Sequence, residues 1–153
     1  MDDFARMFRD RIEAARATHD RETAEREEES NDRQIRASQL ISHLERRFLE
    51  ASQVDPQAVR YTMRAEGQDA TVHELTWVAP LPARTLLARM EPSTDHFWWT
   101  WVYGGTTSGW SEIDALEITR RDIDALIEQL ADQERWAQGE IPHSELGRQQ
   151  GAA

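Results

Sequence analysis

Asp95 and His96 lie shortly before Ser108, and the three are the side-chain types of an acyl-transfer triad. That chemistry needs a serine on a strained turn, within hydrogen-bond reach of a histidine that an acid orients. Neighbouring residues on a strand point to opposite faces, so Asp95 and His96 would need a turn to act together. Ser108 sits in Gly104-Gly105-Thr106-Thr107-Ser108-Gly109, which lacks the Gly-x-Ser-x-Gly of a nucleophile elbow. The same glycines would suit a phosphate, but no Gly-Lys-Ser/Thr follows them and nothing basic accompanies them. His73 and Glu74 also face apart on a strand, and His19, His43 and His143 show no metal-ligand spacing. The sequence therefore assigns no catalytic residue, no metal site and no cofactor, and Gly104 to Gly109 reads as a hairpin loop.

Recognition chemistry is better represented. Trp98 and Trp110 are candidates for a ligand platform, since aromatic faces beside acids such as Glu112 and Asp114 suit sugar hydroxyls. Nucleic acid is not expected there, because an aromatic platform for bases normally stands among basic residues. From Ser111 to Leu146 ten acids face three arginines, which is −7 of the net −11. On a helix, Asp124, Glu128 and Asp132 would line one edge, with Asp114 and Glu117 nearby. Like charges at this spacing cost stability, so a docking surface for a basic protein is the functional expectation. A second candidate contact is the apolar stripe Phe4, Met7, Phe8 and Ile12, for oligomerisation or partner binding.

The totals set limits on these candidates. A chain of 153 residues is expected to be one domain with an appended arm. All 18 basic residues are arginine, as in proteins of GC-rich genomes, which removes lysine nucleophiles and Schiff bases from consideration. The strong negative charge disfavours direct binding to nucleic acid or anionic membranes. No apolar run is long enough to span a bilayer, and the start lacks a secretory signal. With no cysteine there is no disulfide framework, and a cytoplasmic location is expected.

The elements that must position these residues follow from periodicity. Residues 1–54 hold no Gly or Pro and carry opposite charges four apart, such as Glu22/Arg26 and Glu29/Arg33. They read as one helix, or as two with a break at Ser30-Asn31-Asp32. Leu40, Ile41, Leu44, Phe48 and Ala51 form a second apolar stripe, and the span between the stripes is polar. Val54-Asp55-Pro56 ends the helix. Strands are expected from Val59, from Thr71, from Arg84 and through Phe97–Tyr103, with short turns and no helix between them, as in an antiparallel meander. The aromatic strand puts Phe97, Trp99, Trp101 and Tyr103 on one face and Trp98, Thr100 and Val102 on the other. Glu112 to Ile118 is a fifth strand or a helical turn. Thr119-Arg-Arg-Asp122 is a capping pattern before Ile123, Leu126, Ile127 and Leu130, with Gly139 as the C-terminal stop.

The expectation is an α+β fold: a long N-terminal helix or two helices, a four- to five-stranded antiparallel meander, and a C-terminal helix covering its aromatic face. Residues 1–54 are assigned as an oligomerising or partner-binding segment, 55–140 as sheet plus helix, and 141–153 as a tail. The functional expectation is a non-enzymatic, acidic adaptor of bacterial or phage type. It would bind a basic protein, as a homodimer or as a subunit of a complex. The alternative is a small ligand- or sugar-binding domain or enzyme using strand 97–103 and the Gly104–Gly109 loop.

Overall fold

The aromatic strand has neighbours on both sides, which is what its load of indoles requires. Four eight-residue strands run antiparallel in sequence order: β1 (Val59–Glu66), β2 (Ala70–Trp77), β3 (Arg84–Glu91) and β4 (His96–Tyr103). The far edge of β4 pairs with two short strands, β5 (Thr106–Thr107) and β6 (Ser111–Asp114). Glu112–Ile118 thus opens as a strand, and its helical-turn alternative is confined to the turn that follows. The computed structural model describes residues 3–67, 70–91 and 96–142.

Helix α1 (Asp3–Val54) is continuous through Ser30-Asn31-Asp32. An ion pair of 2.9 Å between Glu29 and Arg33 spans that point, and no Gly or Pro interrupts it. Past its end, Asp55 Oδ1 accepts from the backbone N–H groups of Gln57 and Ala58, turning the chain into β1. The chain divides into two units, Met1–Ile35 and Arg36–Ala153. In the first unit no described residue is buried.

In the second unit, Ala37, Leu40, Leu44 and Phe48 of α1 pack with Leu75, Leu86, Ala88, Met90, Phe97, Trp99 and Trp101 of the sheet. Ile123, Leu126 and Leu130 of α2 (Arg120–Leu130) complete this core, with α2 lying against β3. The aromatic face is therefore covered by the last third of α1 as well as by the C-terminal helix. The opposite face buries a smaller set: Ala70, Val72, Leu87 and Thr100.

Thr119 and Asp122 form the expected capping box at the start of α2. The helix stops at Leu130, however, and α3 (Gln133–Ala137) follows. The cause lies in two carbonyls that a continuing helix would use. Leu130 O accepts from Arg84 Nε at 2.9 Å and Nη2 at 2.6 Å, and Gln129 O accepts from Trp136 Nε1 at 2.9 Å. Gly139, at φ +78°, closes α3 rather than α2. Its N–H bonds Trp136 O and the next N–H bonds Arg135 O, the paired arrangement of a glycine stop.

Candidate interaction surfaces

The residues from which a triad was considered are not brought together. His96 lies at one end of β4, where it faces Asp114 across the ladder and approaches Glu112 at 3.7 Å. Ser108 lies near the other end: its Oγ accepts from the Trp101 N–H at 3.1 Å and meets Thr100 Oγ1 at 3.2 Å. Five residue steps along the strand separate His96 from Trp101, about 16 Å. Asp95 falls outside the described residues. Gly104 and Gly105, at φ +54° and +79°, form a two-residue turn between the paired residues Tyr103 and Thr106. Left-handed backbone at both positions is what a tight hairpin of this hand needs, and glycine supplies it without strain. The loop is a turn and Ser108 a rung of the sheet edge.

Trp98 and Trp110 do converge. Both lie on the face away from the core, and the Arg89 guanidinium sits 5.2 Å from one ring centre and 5.3 Å from the other. Arg89 also reaches Glu66 at 3.4 Å. The cross-strand register explains the cluster, since Arg64, Val72, Arg89, Trp98 and Glu112 form one row across five strands. Arginine over indole contributes on the order of 0.5–2 kcal/mol. It also occupies a face of each indole that a sugar ring would stack on.

The acidic edge is less uniform than its sequence spacing implied. Asp124 Oδ1 accepts from His43 Nε2 at 2.8 Å and from Arg47 Nε at 3.2 Å, tying α2 to α1. Asp114 Oδ1 accepts from the Leu116 N–H at 2.8 Å and shapes the turn after β6. Asp132 lies 3.4 Å from Arg135 at the start of α3. Glu117 and Glu128 are exposed. Asp124 therefore does not merely cost stability, as its like-charged spacing implied, because its carboxylate is bonded across 81 residues of chain.

The stripe near the start of α1 is open to solvent. Phe4, Met7, Phe8 and Ile12 are 62%, 45%, 54% and 38% exposed, and the Phe4 and Phe8 rings stack at 5.8 Å. Besides His43, the buried polar side chains Arg84 and His73 were given no role from sequence. Arg84 lies under α2 and α3, donating to Leu130 O, Pro82 O and Gln133 Oε1, between the rings of Trp77 at 4.4 Å and Trp136 at 5.4 Å. Burial pushes its guanidinium down to about 10, against an opposing effect of Asp132. His73 faces the core and shares a 2.8 Å bond between Nδ1 and the Tyr61 hydroxyl. Burial lowers the imidazole and raises the phenol to about 12, with Glu45 pulling both upward. Parity was the available signal for both: Arg84 shares the inward face with Leu86, and His73 with Leu75.

Among the described residues there is no cluster of three His, Asp or Glu side chains that could hold a metal ion. No described helix is long and apolar enough to cross a membrane. Neither protein-family models, nor curated proteins, nor solved structures give a match to this chain.

Proposed function

We propose that the chain is a non-enzymatic interaction protein that self-associates through the first turns of α1 and presents acidic surface to a basic protein partner. The observation that carries this reading is the exposure of Phe4, Met7, Phe8 and Ile12 on a unit in which no described residue is buried. Fully burying an exposed side chain of this kind contributes about 1.5–3 kcal/mol, and the part of each still in water here contributes roughly half of that, which favours a covering surface.

A second copy of the chain fits as that covering surface. At 100° per residue, Phe4, Phe8, Ile12 and Ala15 share one face. Arg9 and Arg16 fall on one flank of it and Asp3, Asp10 and Arg11 toward the other, so in a parallel pair Arg9 and Arg16 of one copy lie on the side of Asp3 and Asp10 of the other. The acidic surface is Glu117, Glu128 and Asp132, with Asp124 kept for the fold.

The interior supports the class. Arg84, His43 and His73 are each bonded to groups that hold elements together. The ligand-platform alternative is weakened by Arg89, which lies over both Trp98 and Trp110.

Light scattering across a concentration series is the test. The whole chain is expected as a dimer, and Phe8→Glu with Ile12→Glu as a monomer with the same cooperative melt. A monomer at every concentration, or a dimer that ignores the substitutions, refutes the reading. For the second surface, Glu117→Gln with Glu128→Gln should leave the melt unchanged and weaken capture of basic proteins.

A further inference from the structure

Between the later turns of α1 and the start of α2 lies a surface concavity of about 280 Å³, lined by Ser38, Gln39, Ser42, His43, Arg46 and Arg120. The lining follows from helical spacing: Ser38, Ser42 and Arg46 succeed one another at four-residue steps, and Gln39 and His43 form the adjoining row. Every one of these side chains carries hydrogen-bond donors, and no carboxylate lines the concavity, in a chain of net charge −11.

The floor is fixed. His43 is only 5% exposed, with Nε2 held by Asp124 and Nδ1 accepting from Arg46 Nη2 at 3.1 Å. Because arginine can only donate, the ring proton stands on Nε2 and points to Asp124. Arg46 keeps its other N–H groups, and the Arg120 side chain makes no hydrogen bond or ion pair among the described residues. Asp124, which faces His43, is already engaged by it and by Arg47.

We propose that this concavity binds a phosphate group carried on a small molecule. Two guanidinium groups, two hydroxyls and an amide offer more donors than a carboxylate can accept, whereas a phosphate presents several charged oxygens. Guanidinium forks also match phosphate geometry. The volume falls just below the roughly 300–1,000 Å³ of drug-sized sites, enough for a phosphomonoester of a few carbons. The site uses neither the apolar stripe of α1 nor the exposed acids, so it stands apart from the interaction surfaces.

Titration calorimetry of the full chain tests it with three probes: glycerol 3-phosphate, inorganic phosphate and acetate. Glycerol 3-phosphate is expected to bind with release of affinity as salt rises, inorganic phosphate more weakly, and acetate not at all. Arg120→Ala and Arg46→Ala should each weaken glycerol 3-phosphate at least about tenfold, the effect of losing a charge-assisted hydrogen bond. Arg120→Ala removes a side chain with no structural bond, so it keeps the test sound if Arg46→Ala disturbs His43. Arg121→Ala, outside the lining, should change nothing. Absence of glycerol 3-phosphate binding, binding of inorganic phosphate alone, or binding that survives Arg120→Ala overturns the proposal. So does an equal loss in Arg121→Ala, which would mark a diffuse charge effect.

Discussion

His43 Nε2 lies 2.8 Å from Asp124 Oδ1, and this bond joins α1, which begins the fold, to α2, which follows the sheet. Removing the carboxylate leaves a buried imidazole donor without its acceptor, a cost of about 1–3 kcal/mol. Asp124→Ala is therefore expected to lower the urea midpoint clearly. Glu128→Gln, one turn later and exposed, should change stability by no more than about 0.5 kcal/mol. Equal effects of the two substitutions would show that Asp124 is only another acid on a solvated face.

Arg84 holds α2 and α3 against the sheet without any carboxylate bonded to it. Lysine cannot reproduce its planar fork or its place between Trp77 and Trp136. Arg84→Lys should cost on the order of 2 kcal/mol, because at least one carbonyl now served by the fork loses a buried donor. Arg84→Ala should cost more. Denaturant melts followed by tryptophan fluorescence measure both, and a wild-type midpoint for Arg84→Lys would remove the fork from the account.

Much of the fold could be read from the sequence because its signals are local. Alternation in Phe97–Tyr103 identified the two faces of β4, and Thr119–Asp122 identified the start of α2. The break after Leu130 was not visible, since it arises from Arg84 taking a carbonyl 46 residues away. The acidic edge was legible only in part: Asp124 and Glu128 lie on α2, but Asp132 falls past its end, at the start of α3. Helical periodicity places Asp124 beside Glu128, but nothing local brings His43 and Arg47 to it. Trp98 and Trp110 were paired as aromatic neighbours, while the guanidinium between them depends on strand register.

The exposure of the six tryptophans gives a direct optical test of that pairing. Trp99, Trp101 and Trp136 are buried, whereas Trp110 is 42% exposed. Trp110→Phe should remove most of the acrylamide-quenchable emission, and Arg89→Ala should increase quenching by uncovering Trp98. If Arg89→Ala leaves quenching unchanged, Arg89 does not cover the indoles.

Replacing Leu126 with Asp should unfold the second unit. The side chain is 1% exposed within the core formed with Leu40, Leu86 and Trp101. An unpaired carboxylate there costs several kcal/mol, comparable with the whole stability of a domain this size. Loss of the cooperative melt is the expected result, and an unchanged melt would remove α2 from the core.

The Tyr61–His73 pair predicts loss of stability at both ends of the pH scale. Burial lowers the His73 imidazole below its ordinary value, so the folded chain takes up a proton less readily than the unfolded one. Stability from this group is full above about pH 6.5 and falls as pH drops from there toward the folded value. Burial raises the Tyr61 phenol to about 12, so the folded chain keeps a proton that the unfolded chain loses near 10. That contribution is full below pH 10 and is lost as pH rises toward 12. Melts at pH 8, 6.5 and 5 measure the acid limb, and His73→Gln should flatten the part that His73 causes. For the alkaline limb, Tyr103→Phe leaves Tyr61 as the remaining tyrosine, and its phenolate absorbance should appear with a midpoint near 12. A midpoint near 10 in the folded protein would mean that Tyr61 is in contact with water and that its bond to His73 does not shield it.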